Sequence, residues 1–163
     1  MNTQLMNLIQ KISLLSAIVL LASVAPTHAQ SLGGNRIRAN IPFDFHISEK
    51  KLPAGEYSVG RAVNHSDDLV VSINDREGRS KAIRLSNATV RSRPNGKALL
   101  VFHRYGEQYF LFQVWPAGAT VGREFRKSKT ERELQKQLAR NSTRGRVAEN
   151  VTFETVTIAG VLQ

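Results

Sequence analysis

Residues 97–116 constrain the fold of this chain more than any other segment. The two halves, residues 98–102 and 109–112, are apolar at consecutive positions rather than at alternate ones. Successive side chains of a strand point to opposite faces of a sheet, so strands of this kind must be covered on both sides. Gly106 takes the first position of the two-residue connection, where glycine favours a type II′ turn. The sequence therefore predicts a central β-hairpin with the core on one face and a second layer on the other.

Shorter strands separated by turn residues fill most of the remaining sequence. Residues 36–47 alternate between apolar and polar side chains, which predicts a strand with one face in water. Pro42 has no N–H to donate, so this strand is predicted to lie at a sheet edge or to bulge there. Further strand candidates are residues 57–63, 69–74, 79–86 and 87–93.

The spacing of these candidates indicates the fold class. Short strands at regular intervals, separated by Asn, Asp, Gly or Pro, are typical of antiparallel sheets. Within residues 79–86, Ile83 and Leu85 are predicted to face the core. The sequence predicts an all-β domain, either an antiparallel sandwich or a small barrel of about 7–8 strands. It leaves the choice between the two open.

One helix and one last strand are predicted near the C-terminus. Residues 128–131, Ser-Lys-Thr-Glu, have the order of a capping box and begin a helix over about residues 129–140. Leu134 and Leu138 are predicted to pack this helix on the sheet and to leave its charges in water. Residues 151–158 are rich in Val and Thr, which predicts a closing strand.

Residues 1–29 have the layout of a secretory signal peptide. Lys11 precedes an apolar run over residues 12–24, and Thr27 and Ala29 offer small side chains at the −3 and −1 positions of a cleavage site. The apolar run is shorter than the about 20 residues of a membrane-spanning helix. We therefore expect cleavage after Ala29 and a secreted or periplasmic protein whose residues 30–163 form one β-rich domain.

The basic residues are unevenly distributed. The sequence has 23 Lys and Arg against 13 Asp and Glu, a net charge of +10, and residues 79–105 contain no acid. A cationic face attracts anionic polymers, although solvated charges on an exported protein give the same pattern. We expect an anionic envelope polymer or an envelope protein as the partner, and nucleic acid is disfavoured because no reading motif is present. The candidate anion-binding face consists of Arg79, Lys81, Arg84, Arg91, Arg93, Lys97 and Arg104.

The sequence contains no recognisable catalytic or cofactor-binding pattern. It has no cysteine, no nucleophile elbow, no phosphate-binding glycine loop and no zinc or calcium spacing. His46, His65 and His103 are isolated in sequence, and Asp67 and Asp68 fall in a stretch of turn residues. We therefore expect a non-catalytic protein without cofactor or metal. A candidate recognition patch surrounds the hairpin turn, with ordinary turn chemistry as the alternative; it consists of His103, Arg104, Tyr105, Glu107 and Gln108.

Several short motifs together resemble a known family. They are Pro-Phe-Asp-Phe at 42–45, Leu-Pro-Ala-Gly-Glu-Tyr at 52–57, Leu-Val-Phe-His-Arg-Tyr-Gly at 100–106, Gln-Tyr-Phe-Leu at 108–111 and Gly-Arg-Glu at 122–124. The combination is similar to a family of small uncharacterised secreted proteins from acidobacteria, over about residues 41–138. The resemblance implies export and a compact domain, and it assigns no role to any residue.

Two functions are compatible with these features. The first is an exported, non-catalytic envelope protein that binds an anionic surface polymer or a partner protein through its basic face. The alternative is a small β-barrel that carries an apolar ligand, indicated by the aromatic strand residues and by an order of strands, helix and last strand similar to that of lipocalins. The likeness is partial, because the Gly-x-Trp of the lipocalin first strand is missing and Trp115 is the only tryptophan.

Overall fold

The computed structural model describes residues 36–62, 69–144 and 153–163, which form eleven strands and one helix. The predicted signal peptide and its cleavage site lie outside these residues. The helix, α1, runs over Lys129–Arg144. The strands are β1 (Ile37–Ile41), β2 (Phe45–Ile47), β3 (Lys50–Leu52), β4 (Gly55–Arg61), β5 (Val70–Asp75), β6 (Ser80–Leu85), β7 (Asn87–Val90), β8 (Ala98–Tyr105), β9 (Gln108–Trp115), β10 (Val121–Glu124) and β11 (Glu154–Leu162). The predicted all-β fold with one helix in the C-terminal half is confirmed.

The strands form a barrel-like sheet that is nearly closed. Its main path is β3-β2-β9-β8-β11-β1-β4-β5-β6, and β10 pairs with both β9 and β7. Only Ser86 separates β6, the last strand of this path, from β7. β7 pairs with β10 and β10 pairs with β9, so the chain connects the end of the path back to β9. The N–H and the hydroxyl of Ser86 both donate to the carbonyl of Leu69, which fixes the bend between β6 and β7. Of the two architectures left open by the sequence, the protein has the barrel.

The β8–β9 hairpin is buried on both faces, as the sequence predicts. Gly106 has a φ of +61° and Glu107 has no positive φ, which is the backbone of a type II′ turn. Leu100 and Phe102 are buried in the barrel interior. His103 lies on the opposite face and is only 1% exposed. The hairpin is therefore enclosed between the barrel core and a second layer beneath α1.

Pro42 interrupts the first predicted strand. Residues 36–47 form two short strands, β1 and β2, instead of one. β1 pairs with β4 and β11, so the predicted edge position is wrong. Because proline has no N–H, the ladder ends at this residue rather than bulging. The predicted alternation is confirmed on both sides of the break, where Ile37, Ala39, Ile41, Phe45 and Ile47 are buried.

The predicted orientation of β6 is wrong. Val71 on β5 faces the core and pairs with Arg84 on β6. Directly opposite residues share a face of the sheet, so the residues on either side of Arg84 point outward. These residues, Ile83 and Leu85, are 57% and 71% exposed. Alternating apolar residues identified the strand but not the face that it buries.

The helix and the last strand are both longer than predicted. The hydroxyl of Ser128 accepts a hydrogen bond from the N–H of Glu131 at 2.9 Å, as in a capping box. Leu134 and Leu138 are only half-buried, whereas the side chain of Glu131 is buried. β11 pairs with β8 on one side and with β1 on the other, so it is an inner strand of the sheet and not an edge strand.

Aromatic side chains fill the end of the barrel at which β1 finishes. The ring of Phe45 is edge-on to Tyr57 and to Phe102, with centroids 5.2 and 5.6 Å apart. Phe43 stacks on Tyr109 at a centroid distance of 3.8 Å. These pairs bury large surfaces with favourable ring geometry. Smaller aliphatic side chains, among them Val59, Val71 and Val114, line the opposite end of the interior.

The close approach of β10 to Trp115 gives a stability prediction. A Cβ at Gly122 would lie 2.5 Å from Cε3 of Trp115. We expect Gly122→Ala to lower the free energy of unfolding in urea by about 1–3 kcal/mol, the usual cost of overpacking. Gly96→Ala is the control, because nothing lies within 4 Å of its Cβ, and its effect should stay within about 0.5 kcal/mol. Equal effects of the two substitutions would contradict this packing.

Candidate functional site

A pocket of about 220 Å³ opens at the end of the barrel opposite the aromatic cluster. We call it the barrel-mouth pocket. It lies between β1, β4 and β5 on one side and β9 and β10 on the other. Its inner wall belongs to the hydrophobic core and consists of Ile37, Val59, Val71 and Val114. These side chains offer water no hydrogen-bond partner, so the wall favours an apolar occupant.

One exposed apolar side chain lines this pocket, and two others are strand partners of its lining residues. Val121 lines the pocket and is 46% exposed, and Val90, directly opposite on β7, is 73% exposed. Leu162 is also exposed and pairs with Ile37 of the pocket wall. We call Val90, Val121 and Leu162 the apolar rim. Exposed apolar residues that are grouped rather than scattered mark binding grooves and interfaces.

Two arginines face the barrel-mouth pocket from different sides. Arg61 on β4 pairs with Val71, and Arg123 on β10 pairs with Val114. Because directly opposite residues share a face, each arginine begins on the pocket side of the sheet. Both line the pocket. The mouth therefore combines an apolar wall with two cationic groups.

Carboxylates neutralise three residues of the candidate anion-binding face. Arg79 and Lys81 contact the same carboxylate oxygen of Asp75, at 2.8 and 2.9 Å. Burial alone would raise the pKa of Asp75, but the hydrogen bonds from Lys81 and Arg79 outweigh it and lower that pKa. Arg104 contacts Glu154 at 3.2 Å and Glu107 at 3.5 Å.

The other four residues of that face have different surroundings. Arg84 points inward from β6, and its Nε is buried without a hydrogen-bond partner in the described part of the chain. The guanidinium of Arg91 lies 3.5 Å from the centroid of the Trp115 ring. Arg93 and Lys97 are exposed. The seven cations thus do not form one continuous surface, and Arg93 and Lys97 are the members most available to a partner.

The structure divides the predicted turn patch between the two faces of the hairpin. Glu107 and Gln108 are exposed, and Arg104 is half-buried. His103 and Tyr105 are buried on the face that α1 covers. These two side chains therefore do not belong to an exposed recognition surface, because β-strand alternation separates them from Arg104.

A buried polar cluster connects α1 to the barrel. Oε1 of Glu131 lies 2.8 Å from Nδ1 of His103 and accepts a hydrogen bond from the hydroxyl of Tyr105 at 3.2 Å. With Glu131 ionised, its carboxylate only accepts, and Nδ1 of His103 then carries the shared hydrogen. The imidazole also contacts the rings of Phe112 and Phe153, with centroids 3.9 and 3.8 Å away. Burial, and then the nearby Glu131, raise the pKa of Tyr105.

Glu49 holds the first turn of α1 from outside the helix. Its carboxylate accepts hydrogen bonds from the N–H groups of Lys129 at 2.7 Å and Thr130 at 3.3 Å, and from the Thr130 hydroxyl. These N–H groups have no partner within the helix and carry partial positive charge. The hydrogen bonds, that of the Thr130 hydroxyl first, lower the pKa of Glu49.

The other candidate residues of the sequence are not brought into a polar site. His46 stacks on Phe110 at 4.8 Å, and burial lowers its pKa. His65, Asp67 and Asp68 lie outside the described residues. Within residues 36–62, 69–144 and 153–163 no group of three or more potential metal ligands is present. In the same ranges no helix has the length and apolar character to cross a membrane.

Sequence reasoning missed the barrel-mouth pocket although a signal for it was present. Along β4, Val59 and Arg61 share the inward phase, and Arg61 is the last residue of the strand. An arginine that continues the buried phase of a strand at its end indicates a polar opening into the interior. The role of Glu131 was also missed, because the capping box explained this residue by local contacts alone.

Comparison with protein-family models, with curated proteins and with solved structures finds no match to this chain. The resemblance to the acidobacterial family stays a prediction from sequence motifs.

The buried cluster beneath α1 gives a second stability prediction. Glu131→Ala removes the acceptor of two buried donors, and each unpaired donor costs about 1–3 kcal/mol. We expect a loss of about 2–4 kcal/mol in the free energy of unfolding, with a smaller loss for Glu131→Gln, which keeps one acceptor. Glu133→Ala, at an exposed position of the same helix, is the control and should change stability by less than about 0.5 kcal/mol. If the alanine variants at 131 and 133 unfold at the same urea concentration, the cluster does not stabilise the protein.

Proposed function

We propose that this chain is an exported, non-catalytic binding protein that carries a small apolar molecule in the barrel-mouth pocket. The observation that supports this proposal is the apolar inner wall of the pocket together with the apolar rim, in which Val121 lines the pocket and Val90 and Leu162 are strand partners of lining residues. A ligand that enters would cover the rim and remove further apolar surface from water, at about 25 cal/mol per Å². The proposal is the carrier alternative of the two functions expected from the sequence.

The size of the pocket limits the ligand. Its volume of about 220 Å³ lies below the about 300–1,000 Å³ of most drug-sized ligand sites. Buried aliphatic and aromatic side chains of the core occupy the rest of the interior, so a larger ligand would have to displace some of them. The carrier function is therefore proposed for a small or narrow molecule, and the predicted signal peptide supports a secreted or periplasmic site of action.

A substitution at the rim tests the carrier function. Val121→Trp should fill the mouth and weaken binding of an apolar fluorescent probe by at least tenfold, because the added ring occupies the space the probe needs. Val161→Trp is the matched control: Val161 is an exposed valine whose position on β11 faces away from the pocket. Equal probe affinity in both variants, or no probe binding and no co-purifying mass in native mass spectrometry of the wild-type protein, would refute the carrier function.

A second candidate function is attachment to an anionic envelope polymer. Arg93 and Lys97 support it, because both are exposed in the turn between β7 and β8, close in sequence to Arg91. Since the other cations of the predicted face contact carboxylates, an aromatic ring or the barrel interior, this interaction would be weak and sensitive to salt.

Charge reversal tests the second candidate. We expect wild-type protein to be retained on isolated envelope at about 50 mM salt and released at about 500 mM, where surface electrostatics are screened. Arg93→Glu combined with Lys97→Glu should abolish retention. Arg132→Glu combined with Lys136→Glu makes the same change in net charge on the exposed face of α1. Equal losses in the two double variants would show that net charge, rather than this turn, controls retention.

A further inference from the structure

β6 has a partner strand on one side only. It pairs with β5 and is the last strand of the main path of the sheet. Besides this ladder, the described part of the chain gives the backbone of β6 one hydrogen bond, which runs from Nζ of Lys50 to the carbonyl of Lys81. Such an edge strand presents N–H and C=O groups that can pair with another strand.

Ile83 and Leu85 carry the backbone groups on the free side of β6. The N–H of Ser86 donates to the carbonyl of Leu69, on the β5 side, at 2.7 Å. Consecutive residues of a strand turn their backbone groups to alternate sides, so Arg84 also faces β5 and its two neighbours face away. The side chains of Ile83 and Leu85 are 57% and 71% exposed. The free edge of β6 is therefore bordered by apolar side chains in contact with water.

A second copy of β6 can satisfy these backbone groups. Two identical surfaces associate about a two-fold axis, and such an axis makes two neighbouring edge strands antiparallel. If the axis passes through Ile83, this residue lies opposite its own copy and exchanges two hydrogen bonds with it. Leu85 then lies opposite Lys81 of the second copy. An axis at Leu85 would need β6 to continue past Ser86, where the chain bends into β7.

The charges of β6 favour an axis at Ile83 over an axis at Arg84. An axis at Arg84 would place two guanidinium groups directly opposite each other on one face, which destabilises a strand pair. With the axis at Ile83, Arg84 lies opposite Ala82, and Lys81 lies opposite Leu85. No two like charges are then directly opposed. The repulsion that remains, between the diagonally placed Arg84 side chains, is screened by salt.

We propose that this chain forms a two-fold dimer through antiparallel pairing of β6, with the axis at Ile83. The pairing joins the sheets of two barrels and brings the two Ile83 side chains together on their outer surface. No residue of β6 lines the barrel-mouth pocket, so the dimer and the carrier function can each fail without the other.

Sedimentation equilibrium of the full-length mature protein tests the dimer. At about 500 mM salt, which screens the repulsion between two basic chains, we expect the mean mass to rise from monomer to dimer between about 10 µM and about 1 mM protein. Ile83→Lys places two like charges directly opposite and should weaken association by about tenfold or more. Val161→Lys is the matched control and should not change it, because it adds the same charge at an exposed valine of the inner strand β11.

Single cysteines test the position of the axis. The chain contains no cysteine, so one introduced thiol reports one contact. Directly opposite residues of a hydrogen-bonded pair have Cα atoms about 5.5 Å apart, within the range of about 4.4–6.8 Å that a disulfide spans. Ile83→Cys should therefore form a disulfide-linked dimer on mild oxidation. Leu85→Cys should not, since the two copies of this residue would be displaced by about 13 Å along the strands.

Three results would overturn the proposed dimer. They are a monomer throughout the concentration range, an association that Ile83→Lys and Val161→Lys weaken equally, and a Leu85→Cys variant that crosslinks as fast as Ile83→Cys. A mass that rises beyond the dimer would also overturn it, because a two-fold interface closes after two copies. If Ile83→Lys does not fold, the two cysteine variants decide the same point.

Discussion

The whole structure depends on the need to cover both faces of the β8–β9 hairpin. Leu100 and Phe102 must be enclosed on one face, and the barrel closes over them. His103 and Tyr105 must be enclosed on the other, and α1 covers them. An unpartnered apolar face of this size would otherwise promote aggregation, because such patches associate in water. The barrel and the helix are thus two consequences of one constraint.

The second layer contains polar groups that need partners once they are buried. A layer of leucines would cover the hairpin without specifying where the helix begins. Glu131 fixes that position, since its carboxylate must meet both His103 and Tyr105, and Glu49 holds the preceding turn through the free N–H groups of the helix. The apolar contacts of the half-buried Leu134 and Leu138 do not by themselves fix the orientation of the helix. The hydrogen bonds of Glu131 and Glu49 do, because they require specific donor and acceptor positions.

The hairpin, its turn and the all-β class could be predicted because they depend on local patterns. Gly106 at the turn and the alternation around Pro42 are readable from neighbouring residues. The face buried by β6 could not be read in this way, because the pairing of Val71 with Arg84 decides it and pairing is not local. The same limit applies to Arg91 of the predicted basic face, which the register of other strands brings to Trp115. Asp75, by contrast, contacts Arg79 and Lys81 within one hairpin, so these contacts are local.

Barrel closure also explains why one end of the interior is open. Large rings near Phe45 fill the end at which β1 finishes, and branched aliphatic residues line the other, where β10 spans only four residues. Because β10 is short, the sheet extends less far at this end of the barrel. Arg61 and Arg123 lie at this opening, where an arginine can keep its stem against apolar groups and its charge near water. The packing that stabilises the barrel at one end thus leaves an apolar-walled opening at the other, with Arg61 and Arg123 in its lining.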